Sequence, residues 1–153
     1  MIEQLLLALV LTGVTVMIHA IGTVHVVLPL SGVWSIIGKS RKTPAAVMPL
    51  TRLVSALLLM HLVEMGVWAA AFAMVGMLAD FETALYFSLK SYTTVGYGDV
   101  LPPPSWRLVG PIEAAVGVLM LGWSTAVIVA ALQRIYGGRL ELPATALDKS
   151  PTE

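Results

Sequence analysis

The sequence predicts an all-α membrane protein with three transmembrane helices and a short re-entrant helix before the third. Three observations carry that prediction. Of the 153 residues, 58% are hydrophobic and 12% charged, whereas soluble domains are about half apolar and about a quarter charged; the mean hydropathy is +0.87. Three apolar runs reach the roughly 20 residues a bilayer core requires. Between the second and third runs lies a stretch of about a dozen residues, too short to span, followed by a loop rich in glycine and proline.

The first run extends from about Leu5 to Leu30, interrupted by Thr, Gly, His19 and His25, and its apolar character continues through Val33-Trp34-Ser35-Ile36-Ile37. Pro29 and Ser31-Gly32 are expected to bend the chain and leave Trp34 at the interface. Residues 1–38 therefore read as an N-terminal transmembrane helix with an interfacial extension. The start Met1-Ile2-Glu3-Gln4 lacks the basic residues of a signal peptide, so the helix is expected to be retained. Residues 39–49 read as a basic cytoplasmic loop. The second span runs from about Leu50 to Leu78 and carries His61 and Glu64. The third runs from Pro111 to Tyr136 and stops at Gly137-Gly138. Pro111 suits its first turn, and Glu113 suits the positive end of its dipole. Residues 137–153 form a short polar tail, expected to be disordered.

Asp80 is a plausible N-cap for a helix over Phe81–Tyr92. The loop behind it contains Pro102-Pro103-Pro104, and Trp106 is expected at the interface. Non-helical backbone at membrane depth is tolerated only where protein buries it or where it lines a watery path. Basic residues set the orientation: Lys39, Arg41, Lys42 and Arg52 flank the first connection, and Arg134 and Arg139 follow the third span. The loop with the re-entrant helix carries only Lys90 and Arg107. The positive-inside rule places the first connection and the C-terminus in the cytoplasm, and the N-terminus and re-entrant segment outside. Net charge is zero and cysteine is absent, so nothing points to nucleic acid, disulfides or thiolate metal sites.

The loop contains Thr93-Thr94-Val95-Gly96-Tyr97-Gly98-Asp99. Consecutive backbone carbonyls aimed at one axis can replace the water lost by a potassium ion. Aiming them all inward needs unusual dihedrals at alternate positions, which glycine supplies without a Cβ penalty; Gly96 and Gly98 lie two apart. Val95 and Tyr97 then point away and brace the loop, Thr94 can add its hydroxyl, and Asp99 can hydrogen-bond behind it. One loop per chain and no internal repeat imply four chains around the axis.

On these residues the sequence resembles the potassium channel superfamily, in particular its small bacterial members with a two-helix pore module, over about Leu50 to Tyr136. The domain at 50–136 is then similar to an outer helix, pore helix, filter and inner helix forming a tetrameric pore. The resemblance implies ion coordination by the carbonyls of Thr94, Val95, Gly96 and Tyr97, with Gly98 completing the filter and Thr93 and Asp99 supporting it. It implies potassium as the permeant ion with no cofactor, and a homotetramer as the assembly. Tyr86-Phe87-Ser88 looks like the family's aromatic pore helix. Gly117 is similar to a gating-hinge glycine, with Gly122 a second small residue, although glycine also serves plain helix packing. Val118, Leu121 and Thr125 resemble cavity-lining positions, and Val129 and Gln133 positions near the cytoplasmic constriction.

Lys90 departs from the family, which usually has an apolar or acidic side chain there. It is expected to pair with Asp99, Glu113 or Glu64; otherwise it snorkels to the surface or perturbs the filter. The last case gives a second reading, a non-conducting modulatory subunit. His61 and Glu64 share a helix face and read as a polar contact between helices, with no further His or Cys to make a metal site. His19 and His25, six apart, read as helix-packing residues. The first helix has no arginine or lysine of a voltage sensor and is expected to pack outside the pore helices. Lys39, Arg41 and Lys42 could attract anionic lipid headgroups. No enzyme is expected: an intramembrane serine protease needs a Ser–His site, and Ser124 and His61 lie on different helices without an elbow motif.

Overall fold

The structure, a computed structural model, describes residues 2–40 and 44–136, with side-chain surroundings for 2–26 and 46–136. Four α-helices account for most of them: α1 (Ile2–Ser40), α2 (Pro44–Met74), α3 (Phe81–Tyr92) and α4 (Val109–Tyr136), with one 3₁₀ turn at Pro104–Trp106. No strand occurs among the described residues. Segments 2–26, 46–74 and 104–135 are long and apolar enough to cross a membrane. The protein is an all-α membrane protein with three candidate spans.

Two helices are longer than expected. α1 continues through Pro29 and Ser31-Gly32 to Ser40 instead of breaking there. In an apolar run each backbone group needs an internal partner, and forfeiting one bond at a proline costs less than ending the helix. α2 begins at Pro44, whose fixed φ suits a first helical position, so residues 44–49 are helix and not loop. The side chains of Trp34, Lys39, Arg41 and Lys42, and the whole tail 137–153, lie outside the described residues.

α2 ends at Met74, before the expected Leu78, in a Schellman motif. The Gly76 N–H donates to the Ala73 carbonyl (3.1 Å) and the Met77 N–H to the Phe72 carbonyl (3.0 Å). Gly76 takes φ +67°, which only glycine adopts cheaply. The chain reverses at once into α3, whose first turn is closed by Asp80: its carboxylate accepts from the Thr83 N–H at 2.8 Å. That bond and the Thr83 hydroxyl hold the Asp80 carboxyl below its ordinary range.

α3 lies in the angle between α2 and α4, and α1 packs outside against both. The core beside α3 joins Trp68, Phe72, Phe87, Tyr92, Val109 and Met120. Trp68, Phe72 and Phe87 meet edge to face at centroid distances of 5.8 and 5.7 Å. Lipid offers no hydrophobic drive for helices to associate, so close approach and polar contacts must hold them. Both are present: a Cβ on Gly22 of α1 would lie 2.2 Å from Met60 Sδ, and Trp68 Nε1 donates to Thr15 Oγ1 at 2.8 Å.

Candidate ion pathway

After Tyr92 the backbone leaves the helix with left-handed φ at every second residue: Thr94 (63°), Gly96 (52°) and Gly98 (77°). The two glycines behave as the spacing predicts. Thr94 was not foreseen in this conformation, which costs a β-branched residue about 1–3 kcal/mol. Local bonds hold it there: the Thr94 N–H donates to the Ser91 carbonyl at 2.9 Å and the Gly96 N–H to the Lys90 carbonyl at 3.3 Å.

Lys90 makes a second connection to the loop. Its buried ammonium donates to Asp99 Oδ1, and the Tyr86 hydroxyl donates to Asp99 Oδ2 at 2.6 Å. The ammonium also lies 4.4 Å from the Tyr86 ring centroid, a cation–π contact. Lys90, with Tyr86 second, holds the Asp99 carboxyl at about 2, well below the ordinary carboxylate. The same two residues of α3 thus clamp the far end of the loop, while the Lys90 carbonyl holds its middle. Of the partners open to Lys90, Asp99 is the one it takes.

Gly117 lets α4 approach this assembly. A Cβ there would lie 2.1 Å from the Tyr92 carbonyl oxygen. The contact accounts for a glycine at 117 through packing alone. Glu113, in the second turn of α4, is fully buried and accepts from Ser88 Oγ at 2.5 Å, while Ser88 also reaches the Met65 carbonyl at 2.9 Å.

A family of ion channels matches residues 58–134, half of the chain. The chain belongs to this ion channel family. No curated protein and no solved structure matches it. The resemblance read from the loop and its flanking helices therefore holds at the level of the family, and the matched residues include α3, the loop and nearly all of α4.

In the single chain the loop is left uncovered. Val95 is 50% and Tyr97 75% exposed, so neither is braced by its own chain. Val118, Leu121, Thr125 and Val129 form a second open stripe along one face of α4. Gln133 is exposed below it.

One expectation is corrected. His61 and Glu64 are not without a further histidine, because α1 delivers His19 to them. His19 Nδ1 lies 2.9 Å from Glu64 Oε1, and His61 Nδ1 lies 3.3 Å from Glu64 Oε2. Ser124 Oγ on α4 lies 2.9 Å from His61 Nε2 and 3.4 Å from His19 Nε2. The Tyr92 hydroxyl donates to Glu64 Oε2 and lies 3.0 Å from His61 Nδ1. The sequence signal for this cluster was present: ionisable residues inside spans seek one another. What it lacked was the register of α1 against α2 and α4. His25 stays apart, exposed, with Nδ1 2.8 Å from the Ile21 carbonyl.

Ser124, His61 and Glu64 stand in the order of a hydrolytic triad. The rest of such a site does not follow. Ser124 is buried in mid-helix, its backbone N–H belongs to the helix ladder, and its oxygen is shared with a second histidine.

Proposed function

We propose that four copies of this chain form a potassium-selective channel that conducts passively, with Thr94, Val95, Gly96 and Tyr97 coordinating the ion through their carbonyls and Gly98 closing the filter. The observation that carries this reading is the alternation of left-handed φ at Thr94, Gly96 and Gly98, the conformation that a single-axis row of carbonyls requires. Thr93 and Asp99 bound the filter, and Lys90 supports it from behind. The exposed Val95 and Tyr97 favour a neighbouring copy as their packing partner, which is the homotetramer. Val118, Leu121 and Thr125 line the cavity beneath the filter.

Lys90 spends its charge on Asp99 and Tyr86 and not on the ion path, which favours conduction over a non-conducting modulatory subunit. The distribution of lysine and arginine supports an outer filter, an external N-terminus and a cytoplasmic C-terminus. Potassium efflux from liposomes containing the purified chain tests the reading. Efflux that barium blocks and sodium cannot carry is the expected result. A cross-linkable tetramer without efflux would reinstate the modulatory subunit.

A further inference from the structure

The buried polar cluster closes on itself. Glu64 bridges the Nδ1 atoms of His19 and His61, at 2.9 and 3.3 Å. Ser124 Oγ bridges their Nε2 atoms, at 3.4 and 2.9 Å. Four side chains from three helices therefore form a ring of four contacts, with His19 and Glu64 wholly inaccessible and His61 and Ser124 nearly so.

Each contact needs one proton to become a hydrogen bond. A carboxylate brings none, a neutral imidazole one and a hydroxyl one. Two neutral histidines and Ser124 thus supply three protons for four contacts. With Glu64 a carboxylate that already accepts from the Tyr92 hydroxyl, the fourth contact closes when one histidine is an imidazolium; the alternative filling of His61 Nδ1 is the Tyr92 hydroxyl, 3.0 Å away, which brings no charge. In that state the ring is complete and its net charge is zero, carboxylate against imidazolium. Without the proton, the Tyr92 hydroxyl must serve both Glu64 and His61, and a carboxylate is left at membrane depth with no countercharge, which is the costly condition.

We propose that His19, His61, Glu64 and Ser124 form a binding site for one proton shared between the two imidazoles, whose occupancy steadies the filter through Tyr92. The second half of this statement rests on the reading of residues 94–98 as the filter. Tyr92 is the mechanical link: its hydroxyl is bonded to Glu64, its carbonyl packs on Gly117, and the next residue begins the loop. The groups facing the ring are Glu64 and His61 from α2, His19 from α1, Tyr92 from α3, and Ser124 with the Trp123 ring from α4, 5.2 Å from His19 between centroids. The α4 carboxylate, Glu113, is bonded to Ser88. The proposal also gives α1, which lies outside the matched residues 58–134, a role at the pore: it contributes His19.

His19, His61 and Glu64 are also close enough to hold a metal ion. A proton is the simpler occupant, because all four contacts stand at hydrogen-bond distances; the buried side-chain atoms without a partner among the described residues, Thr23 Oγ1 and Glu113 Oε2, lie elsewhere.

The test uses the full chain, with His25→Asn so that two histidines remain. Nitrogen-15 NMR of labelled histidines in micelles, from pH 5 to 9, is expected to show one imidazolium per chain at the acid end. Potassium efflux from liposomes is expected to fall about fivefold, the bias of one hydrogen bond, over the interval in which that signal disappears; histidine changes charge in this range. Glu64→Gln is the discriminating variant. Its amide brings the missing donor, so four neutral groups close the ring, and both the imidazolium and the pH dependence are expected to vanish. Two neutral histidines at every pH overturn the proposal, as does a Glu64→Gln titration like the parent's. One zinc per chain, retained at pH 7 and lost in His19→Asn, overturns it in favour of a metal. Efflux indifferent to a titrating imidazolium overturns the coupling. An imidazolium that titrates in a chain with no efflux at any pH upholds the proton site and refutes the potassium-channel reading.

Discussion

Replacing Gly117 by alanine is the sharpest perturbation of the contact between α4 and the base of the loop. The added Cβ would lie 2.1 Å from the Tyr92 carbonyl oxygen, 2.9 Å from its carbonyl carbon and 3.0 Å from its Cδ1. Ordinary contact begins near 3.4 Å, so α4 or the end of α3 must retreat by more than an ångström. A backbone carbonyl has no rotamer by which to yield, which places the cost at the upper end of overpacking, about 3 kcal/mol. For a chain of this size that is a fall of roughly 6–12 °C in melting temperature. Tryptophan fluorescence during thermal unfolding in detergent reads it, with Gly66→Ala as the control, since a Cβ there meets nothing within 4 Å. The control is expected to melt no lower than the parent, because alanine is the better helix former by about 1 kcal/mol. If Gly117→Ala melts with the parent, the packing argument is wrong; unchanged melting with altered opening kinetics would instead assign Gly117 a hinge role.

Lys90→Met removes the ammonium from Asp99 while keeping its length, and is expected to lower potassium efflux at unchanged tetramer yield; efflux equal to the parent's would free Lys90 of any part in the filter. Asp99 makes a prediction on acid pH. A carboxyl held at about 2, against its ordinary value of 3.8, contributes stability that is complete above the unfolded value and lost as pH falls through the folded one. Between pH 4 and 8 the clamp is therefore constant, and Lys90→Met should leave the shape of the efflux–pH curve in that range unaltered. Tyr92→Phe deletes the hydroxyl that Glu64 accepts from and is expected to destabilise the chain by about 1–3 kcal/mol, since a buried carboxylate oxygen is left with only the longer contact to His61; a thermal melt checks it. Asp80→Ala, by uncapping α3, is expected to lower the melting temperature in the same assay, while Asp80→Asn retains most of the cap.

Much of this was legible in the sequence because it depends on local chemistry. Asp80 and the apolar–polar stretch behind it define α3 to the residue, since capping is decided within one turn. The spans follow from length and hydropathy, and Gly96 and Gly98 mark where positive φ is needed. Thr94 was hidden because its conformation is imposed by hydrogen bonds to Ser91 and, through Gly96, to Lys90, against its own preference. The end at Ser40 was misjudged because proline and glycine signals calibrated in water weaken where backbone groups have no water to turn to, whereas the start at Pro44 carried an ordinary first-position signal that the basic residues before it obscured. His19 was invisible as a partner of Glu64 because 45 residues separate them, and nothing local sets how far α1 slides along α2. Ser124 was hidden for the same reason.

We propose above all that the loop from Thr94 to Gly98 selects potassium. The most direct measurement is the reversal potential of purified channels in a planar bilayer with potassium on one side and sodium on the other. A reversal potential displaced far toward the potassium equilibrium value is expected, and its loss on Gly96→Ala. A reversal potential near zero with the parent chain, showing sodium and potassium to pass alike, would contradict it.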